Sequence, residues 1–205
     1  MAVTGRFITF EGIDGAGKST HIERVAQHLR ARGASLVQTR EPGGTALAES
    51  LRALFLQQDM DGLTEALLVF AARRDHVQRV IAPALALGQT VLCDRFSDAS
   101  FAYQGGGRGM DWQVLKTLAG WVQQGREPDV TFWFDVDPQV AAQRRAQARE
   151  ADRLEQLDLD FFSRVRAAYA RRAEEAPMRF VRIDASDSIE GVGRQVIHAL
   201  EDRGW

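Results

Sequence analysis

One cysteine, four histidines and two lysines are all that this 205-residue chain has of those residue types. Each shortage closes off a class of function. Cys93 alone excludes an intramolecular disulfide framework or an all-cysteine metal site and fits a reducing compartment. The histidines (His21, His28, His76, His198) are scattered; His21 and His28 could share a helix face but have no third ligand nearby, so no zinc site is expected. No stretch approaches about 18 consecutive apolar residues, and no apolar run follows a basic start, so neither a membrane span nor a secretory leader is expected and the reading is cytoplasmic. Charge of one sign is also lacking: 26 basic residues face 28 acidic ones, for a formal net charge of −2. That balance points away from nucleic-acid and membrane-surface partners and toward a local site. Of the 26 basic residues only Lys18 and Lys116 are lysine, the rest arginine, so a position where lysine persists stands out.

With 45% apolar residues the chain can build a sizeable core. Five short apolar runs read as strands: Phe7–Phe10, Leu36–Thr39, Thr90–Cys93, Val130–Val136 and Phe180–Ile183. Runs apolar on both faces suit a parallel sheet covered by helices on each side. Gly33 follows the helical segment Lys18–Arg32 and Gly88 follows one ending at Leu87, both in the place of a left-handed cap. Between Phe55 and Leu87 the pattern predicts a central helix that Pro83 kinks or ends. With no repeat or linker, one α/β domain over residues 1–205 is expected.

The segment Gly12-Ile13-Asp14-Gly15-Ala16-Gly17-Lys18-Ser19 fits G-x-x-x-x-G-K-[ST] at every fixed position, with a strand before it and a helix from Lys18. Glycines let backbone N–H groups converge on phosphate oxygens, and the helix N-terminus adds partial positive charge. Lys18 would reach the β- and γ-phosphates and the Ser19 hydroxyl would bind Mg²⁺. Asp14 is an acid beside an anion site: it either caps the turn through an Asx bond or points toward a hydroxyl of a second substrate.

In open α/β sheets, ligands bind beyond the carboxyl ends of strands. Strand two ends in Arg40-Glu41-Pro42-Gly43-Gly44-Thr45, and strand three in Asp94-Arg95-Phe96. An aspartate there can hold Mg²⁺ through water and an arginine can grip a phosphate with both nitrogens; the alternative is a structural Asp–Arg pair. Cys93 is expected to pack in the sheet. The following stretch, Ser97–Met110, holds Ser100, Tyr103, Gln104 and a run of glycines, and reads as a loop that approaches a ligand or bends sharply. The Gln104 amide could meet a planar base edge.

Together FEGIDGAGKST, TREPGGT, LLVFAARRDHV, DRFSDASFAYQGGGRG and ADRLEQLDLDFF closely resemble bacterial thymidylate kinase, in that family's order and from about Phe7 to Asp184. The resemblance implies a P-loop three-layer α/β fold, five parallel strands in order 2-3-1-4-5, a short lid near residues 142–154, and a homodimer. It implies transfer of the γ-phosphoryl group of ATP to dTMP with Mg²⁺ for dTTP synthesis. ATP would lie on Gly12 to Thr20, with Arg144 on adenine, and Ser19 and Asp94 would hold the metal. For dTMP, Asp14 would sit near the sugar 3′-hydroxyl, Arg95 on the acceptor phosphate and Phe70 stacked on thymine. Arg74 and Gln104 would read the base from two sides, Tyr103 would crowd the 2′ position, and Ser100 belongs to the same set. Phe70 by composition alone reads as core. Arg74 is preferred to Arg73 because it lies four residues after Phe70 and shares its helix face.

The lid arginines are Arg144, Arg145, Arg149 and Arg153. A positioned arginine can raise phosphoryl transfer roughly 10³-fold or more; the alternative is a solvated helix face. Because Gly15 stands where some relatives carry arginine, Arg153 is expected to supply that charge, with Arg149 the second candidate. A kinase for another deoxynucleotide or a deoxynucleoside is the nearest rival, and a non-catalytic P-loop nucleotide-binding protein the next.

Overall fold

The computed structural model describes residues 5–146 and 158–205. Its centre is a five-stranded parallel sheet in the order β2-β3-β1-β4-β5, formed by β1 (Phe7–Glu11), β2 (Leu36–Arg40), β3 (Thr90–Asp94), β4 (Val130–Asp135) and β5 (Phe180–Asp184). Strands β1 and β4 are buried along their whole length. The outer strands β2 and β5, paired on one side only, are partly exposed. This is the expected parallel sheet, each strand within a residue of its predicted bounds.

Alternation along β1 divides the core. Ile8 and Phe10 pack with Val25 and Leu29 of α1 (Lys18–Ala31) and Val196 and Leu200 of α9 (Ile189–Glu201). Phe7 joins Val91 and Cys93 of β3 with Val77 and Ile81 on the other face. Helix α1 ends at Gly33 and the central helix at Gly88, with φ of +84° and +75°; these are the predicted left-handed caps.

Two expectations about helices are corrected. The segment from Phe55 to Leu87 is not one helix. Phe55 closes α2 (Ala46–Gln57), and Asp61 starts α3 (Gly62–His76) by accepting from Leu63 N and Thr64 N. From α3 the chain runs through a π segment (Val77–Ile81) into α4 (Ala82–Ala86), where the Ala82 N–H reaches back to the Val77 carbonyl. Pro83 lacks an N–H and crowds the carbonyl four residues back, and the wider turn before it accommodates both defects without ending the helix.

Likewise, Ser97–Met110 is not a loop. It forms α5 (Ser97–Ser100) and a second π segment (Phe101–Gly107), leading to α6 (Trp112–Gln123). Its glycines serve packing: a Cβ on Gly106 would lie 2.5 Å from Ala168 Cβ, and one on Gly107 2.4 Å from the Phe161 ring. Both neighbours belong to α8 (Leu159–Glu175). Of the predicted lid, residues 142–146 belong to α7 (Pro138–Ala146), and Arg149 and Arg153 lie outside the described residues. No described helix is long and apolar enough to cross a membrane.

Candidate active site

β1 delivers the chain into the glycine-rich turn, and α1 leaves it from Gly17, whose φ of +86° belongs to glycine and whose position carries no side-chain cap. The first-turn N–H groups of α1 are therefore left for a ligand. Lys18 is buried, its Nζ donating to the Gly12 carbonyl at 3.4 Å and lying 3.9 Å from Asp94 Oδ1. Burial and the Arg95 charge push the Lys18 ammonium pKa down, while Asp94, Asp14 and Glu11 oppose that shift. Ser19 and Thr20 are exposed at the mouth of the turn. Asp94 Oδ1 is a buried oxygen without a hydrogen-bond partner, a donor available to a cation or a bound water. Among the described residues no three His, Cys, Asp or Glu side chains gather to hold a metal by themselves. A hard cation carried by substrate phosphates needs only one or two protein oxygens, and the Asp94 carboxylate and Ser19 hydroxyl suit that role.

Beyond β3 the backbone turns sharply at Arg95, a non-glycine residue with φ of +69°. Its amide donates to the Phe10 carbonyl at 2.9 Å, and the next amide, Phe96 N, donates to Glu11 Oε1 at 2.7 Å. The guanidinium is held on two sides. Nη2 donates to Asp14 Oδ1 at 2.9 Å and Tyr103 Oη at 3.2 Å; Nη1 donates to Tyr169 Oη at 3.2 Å. Tyr103 in turn donates to Asp14 Oδ2 at 3.2 Å. Asp14 thus reaches across to the strand-three turn instead of capping its own loop. Burial pushes its carboxyl pKa up, but the Arg95 and Lys18 charges outweigh that and hold it well below the usual range.

Asp14, Arg95 and Tyr103 form part of the wall of an open cleft. Ser100 and Gln104 line it too, as does Phe96. Gln104 Nε2 donates to buried Glu65 at 3.0 Å, which leaves its Oε1 as the acceptor a ligand can use.

The structure separates two residues expected at the base. Arg74 does not line the cleft; its Nη1 donates to the Val122 carbonyl on α6 at 3.1 Å. Arg73 takes the cleft wall instead. It is 1% exposed, donates from Nε to Glu41 Oε2 at 2.6 Å and from Nη2 to the Phe96 carbonyl and Ser100 Oγ, and its Nη1 has no partner. Three and four residues after Phe70 are both within reach of it, and a buried carboxylate from another strand end makes the choice. Phe70 itself is buried with Ala66, Phe101, Leu115 and Ala119, beneath the Arg73 guanidinium, which sits 4.8 Å from its ring centroid. It is absent from the cleft lining, where Val69 and Phe55 provide the apolar wall. Arg144 Nη1 donates to the Ala185 carbonyl after β5 at 3.0 Å. Cys93 is buried in the sheet as expected.

Sequence reading missed several residues. Glu41 accepts from Arg73 and also faces His76 Nδ1 at 2.9 Å. Arg52 lines the cleft and donates to the Pro42 carbonyl. Arg145, which the sequence groups with the lid arginines, donates from Nη1 to the Asp14 carbonyl at 2.7 Å and stands over the Phe162 ring. Glu11, fully buried, has its pKa pushed up to about 8 by burial and by Asp98, against the opposing Arg95 charge. One signal was in the sequence: an acid closing an otherwise apolar strand needs a partner.

The profile of the family described as thymidylate kinase matches residues 10–196 of the chain. A thymidylate kinase of Albidiferax ferrireducens is 55% identical over all of this chain and 99% of its own length. One of Paraburkholderia xenovorans is 57% identical over 94% of this chain and 95% of its own. The crystal structure of thymidylate kinase from Ehrlichia chaffeensis is 37% identical, covers 96% of this chain and 99% of that one, and superposes with a TM-score of 0.80.

Proposed function

The chain belongs to the thymidylate kinase family and is an ATP-dependent dTMP kinase, giving dTDP and ADP, and we propose how its residues divide that work. The observation that carries the division is Arg73, a residue of the cleft that Arg95 and Asp14 join to the phosphate loop, whose buried Nη1 has no hydrogen-bond partner.

ATP phosphates rest on the backbone of Gly12 to Thr20 with Lys18 between them, a place for a compact ammonium rather than a planar fork. Mg²⁺ fits Ser19 and Asp94, and when bound it neutralises charge on the phosphate oxygens. The acceptor phosphate of dTMP lies on Arg95. Asp14 takes the sugar hydroxyl, and Tyr103, hydrogen-bonded to Asp14, closes the space a 2′-hydroxyl would need. Thymine offers O4 as an acceptor and its ring N–H as a donor; Arg73 Nη1 and Gln104 Oε1 are the complementary groups. Arg73 thereby replaces Arg74 in the role the family resemblance implied, and Phe70 supports Arg73 from below. Arg144 serves the adenine side. Arg153, with Arg149 as second candidate, supplies transition-state charge; that assignment rests on sequence.

The reaction needs little covalent help from the protein. A phosphate monoester is already ionised near neutral pH, so no general base is required, and catalysis consists of alignment and charge stabilisation. The expected homodimer is supported by exposed apolar side chains on three neighbouring helices: Leu47 and Leu54 on α2, Leu63 and Leu67 on α3, Val114 and Trp121 on α6. A cysteine-poor sequence agrees with a cytoplasmic setting.

The test is ADP formation by the purified protein with dTMP, dCMP, dGMP and UMP as acceptors. Turnover should be strongest with dTMP by a wide margin; equal rates across the four would overturn the base assignments.

A further inference from the structure

We propose that Tyr169 and Glu11, neither of which lines the cleft, form a buried positioning pair that fixes the direction of the Arg95 guanidinium. The proposal rests on the reading that Arg95 holds the acceptor phosphate.

The geometry divides the partners of Arg95 into two sets. Nη2 is bound to Asp14 and Tyr103, both in the cleft wall, and their hydrogen bonds must rearrange when a nucleotide arrives. Nη1 is bound to Tyr169, which is fully buried on α8 with its ring stacked on Trp133 at 6.4 Å between centroids. That contact stays when the cleft fills. The chain has two tyrosines, and both hydroxyls sit on this one guanidinium.

Glu11 sets the direction of the contact. Tyr169 Oη donates its proton to Glu11 Oε2 at 2.8 Å, so the oxygen lone pairs are left for Arg95 Nη1. Oε1 of the same carboxyl group accepts from Phe96 N at 2.7 Å, one residue beyond the left-handed Arg95 backbone. A non-glycine residue in that region persists only where its surroundings over-determine it. One buried carboxyl group therefore holds Arg95 twice, through the backbone that follows it and through the hydroxyl at its tip. The planar guanidinium gains from this because phosphate recognition depends on the angle of its fork.

The test is steady-state kinetics with dTMP and ATP varied separately, on the full-length enzyme. Tyr169→Phe keeps the packed ring and removes only the hydroxyl. It should lower kcat/KM for dTMP roughly tenfold, the worth of one hydrogen bond to a charged group left unmade, with KM for ATP within about twofold of wild type on the same reasoning. Assayed above pH 8, where the Glu11 carboxyl group is ionised and only accepts, Glu11→Gln keeps an acceptor for Phe96 N–H but can turn a donor toward Tyr169, and should cause the same dTMP-selective loss. The double variant should lose little more than either single one, because the two act in series. Equal losses toward both substrates, or additive losses in the double variant, would make these residues ordinary core and overturn the proposal. Arg95→Lys separates the two levels. If Arg95→Lys impairs use of dTMP while Tyr169→Phe and Glu11→Gln behave as wild type, the positioning pair fails alone. If Arg95→Lys leaves dTMP kinetics unchanged, the phosphate reading fails and the pair with it. Should Tyr169→Phe not fold, Glu11→Gln alone decides: a dTMP-selective loss supports the pair, and wild-type kinetics or an equal loss toward ATP overturns it.

Discussion

Replacing Glu41 by alanine should be among the most damaging single changes outside the phosphate loop. Its carboxylate is 2% exposed and accepts from Arg73 Nε at 2.6 Å and faces His76 Nδ1 at 2.9 Å; Arg73 is itself 1% exposed. Alanine leaves a guanidinium in the interior with its remaining bonds to the neutral Phe96 carbonyl and Ser100 hydroxyl. Breaking a buried ion pair by removing one partner costs about 3–5 kcal/mol. At about 2–4 °C per kcal/mol for a chain of this size, Tm should fall by roughly 6–20 °C. Scanning calorimetry of wild type and Glu41→Ala measures this directly. Repeating it at low and high salt distinguishes a buried pair, whose loss is little screened, from a surface one. A Tm drop under about 3 °C, or a deficit that disappears in salt, would refute the reasoning that Glu41 anchors the cleft wall.

Other perturbations probe other parts of the account. Arg73→Ala should raise KM for dTMP by roughly 10–100-fold, the range for losing a hydrogen bond to a charged group. Arg74→Ala, which removes a contact to the Val122 carbonyl, should leave it nearly unchanged; the reverse ranking would restore the helix-face argument for Arg74. Glu11, with its carboxyl pKa pushed up from an ordinary 4.5 to about 8, binds more protons folded than unfolded between those values. Its contribution to stability is therefore complete below the lower value and is lost as pH rises through 8. Tm of wild type minus that of Glu11→Gln should decline as pH is raised from about 5 to about 8, and a flat difference would exclude a raised Glu11. Gly106→Ala places a methyl group 2.5 Å from Ala168 Cβ and 2.8 Å from the Arg164 carbonyl oxygen. It should cost about 1–3 kcal/mol in a urea titration, and a neutral result would mean that α8 yields easily.

Much of the architecture is legible in the sequence because its causes are local. The strands β1, β3 and β4 are apolar on both faces and buried, and the phosphate turn needs consecutive residues only. Sequence reading fails where a distant segment decides. Whether Arg73 or Arg74 enters the cleft depends on Glu41, 32 residues away in sequence, and no helical period reveals that. Glycines at 106 and 107 signal close approach, but whether a ligand or a helix approaches is settled by α8, more than 50 residues later. Phe55 looks continuous with the central helix because apolar spacing crosses the break, although Asp61 before Gly62 is an N-cap signal within the same stretch. Glu11 and Tyr169 are invisible as partners because they are 158 positions apart.

The central claim is that dTMP lies in the cleft with its base on Arg73 and its phosphate on Arg95. A crystal structure of the enzyme soaked with dTMP tests it most directly. The account predicts density with thymine O4 within hydrogen-bond reach of Arg73 Nη1 and the phosphate on the Arg95 guanidinium, while Arg74 keeps its bond to the Val122 carbonyl. Thymine held by Arg74 against α6, or a phosphate lying away from Arg95, would contradict it.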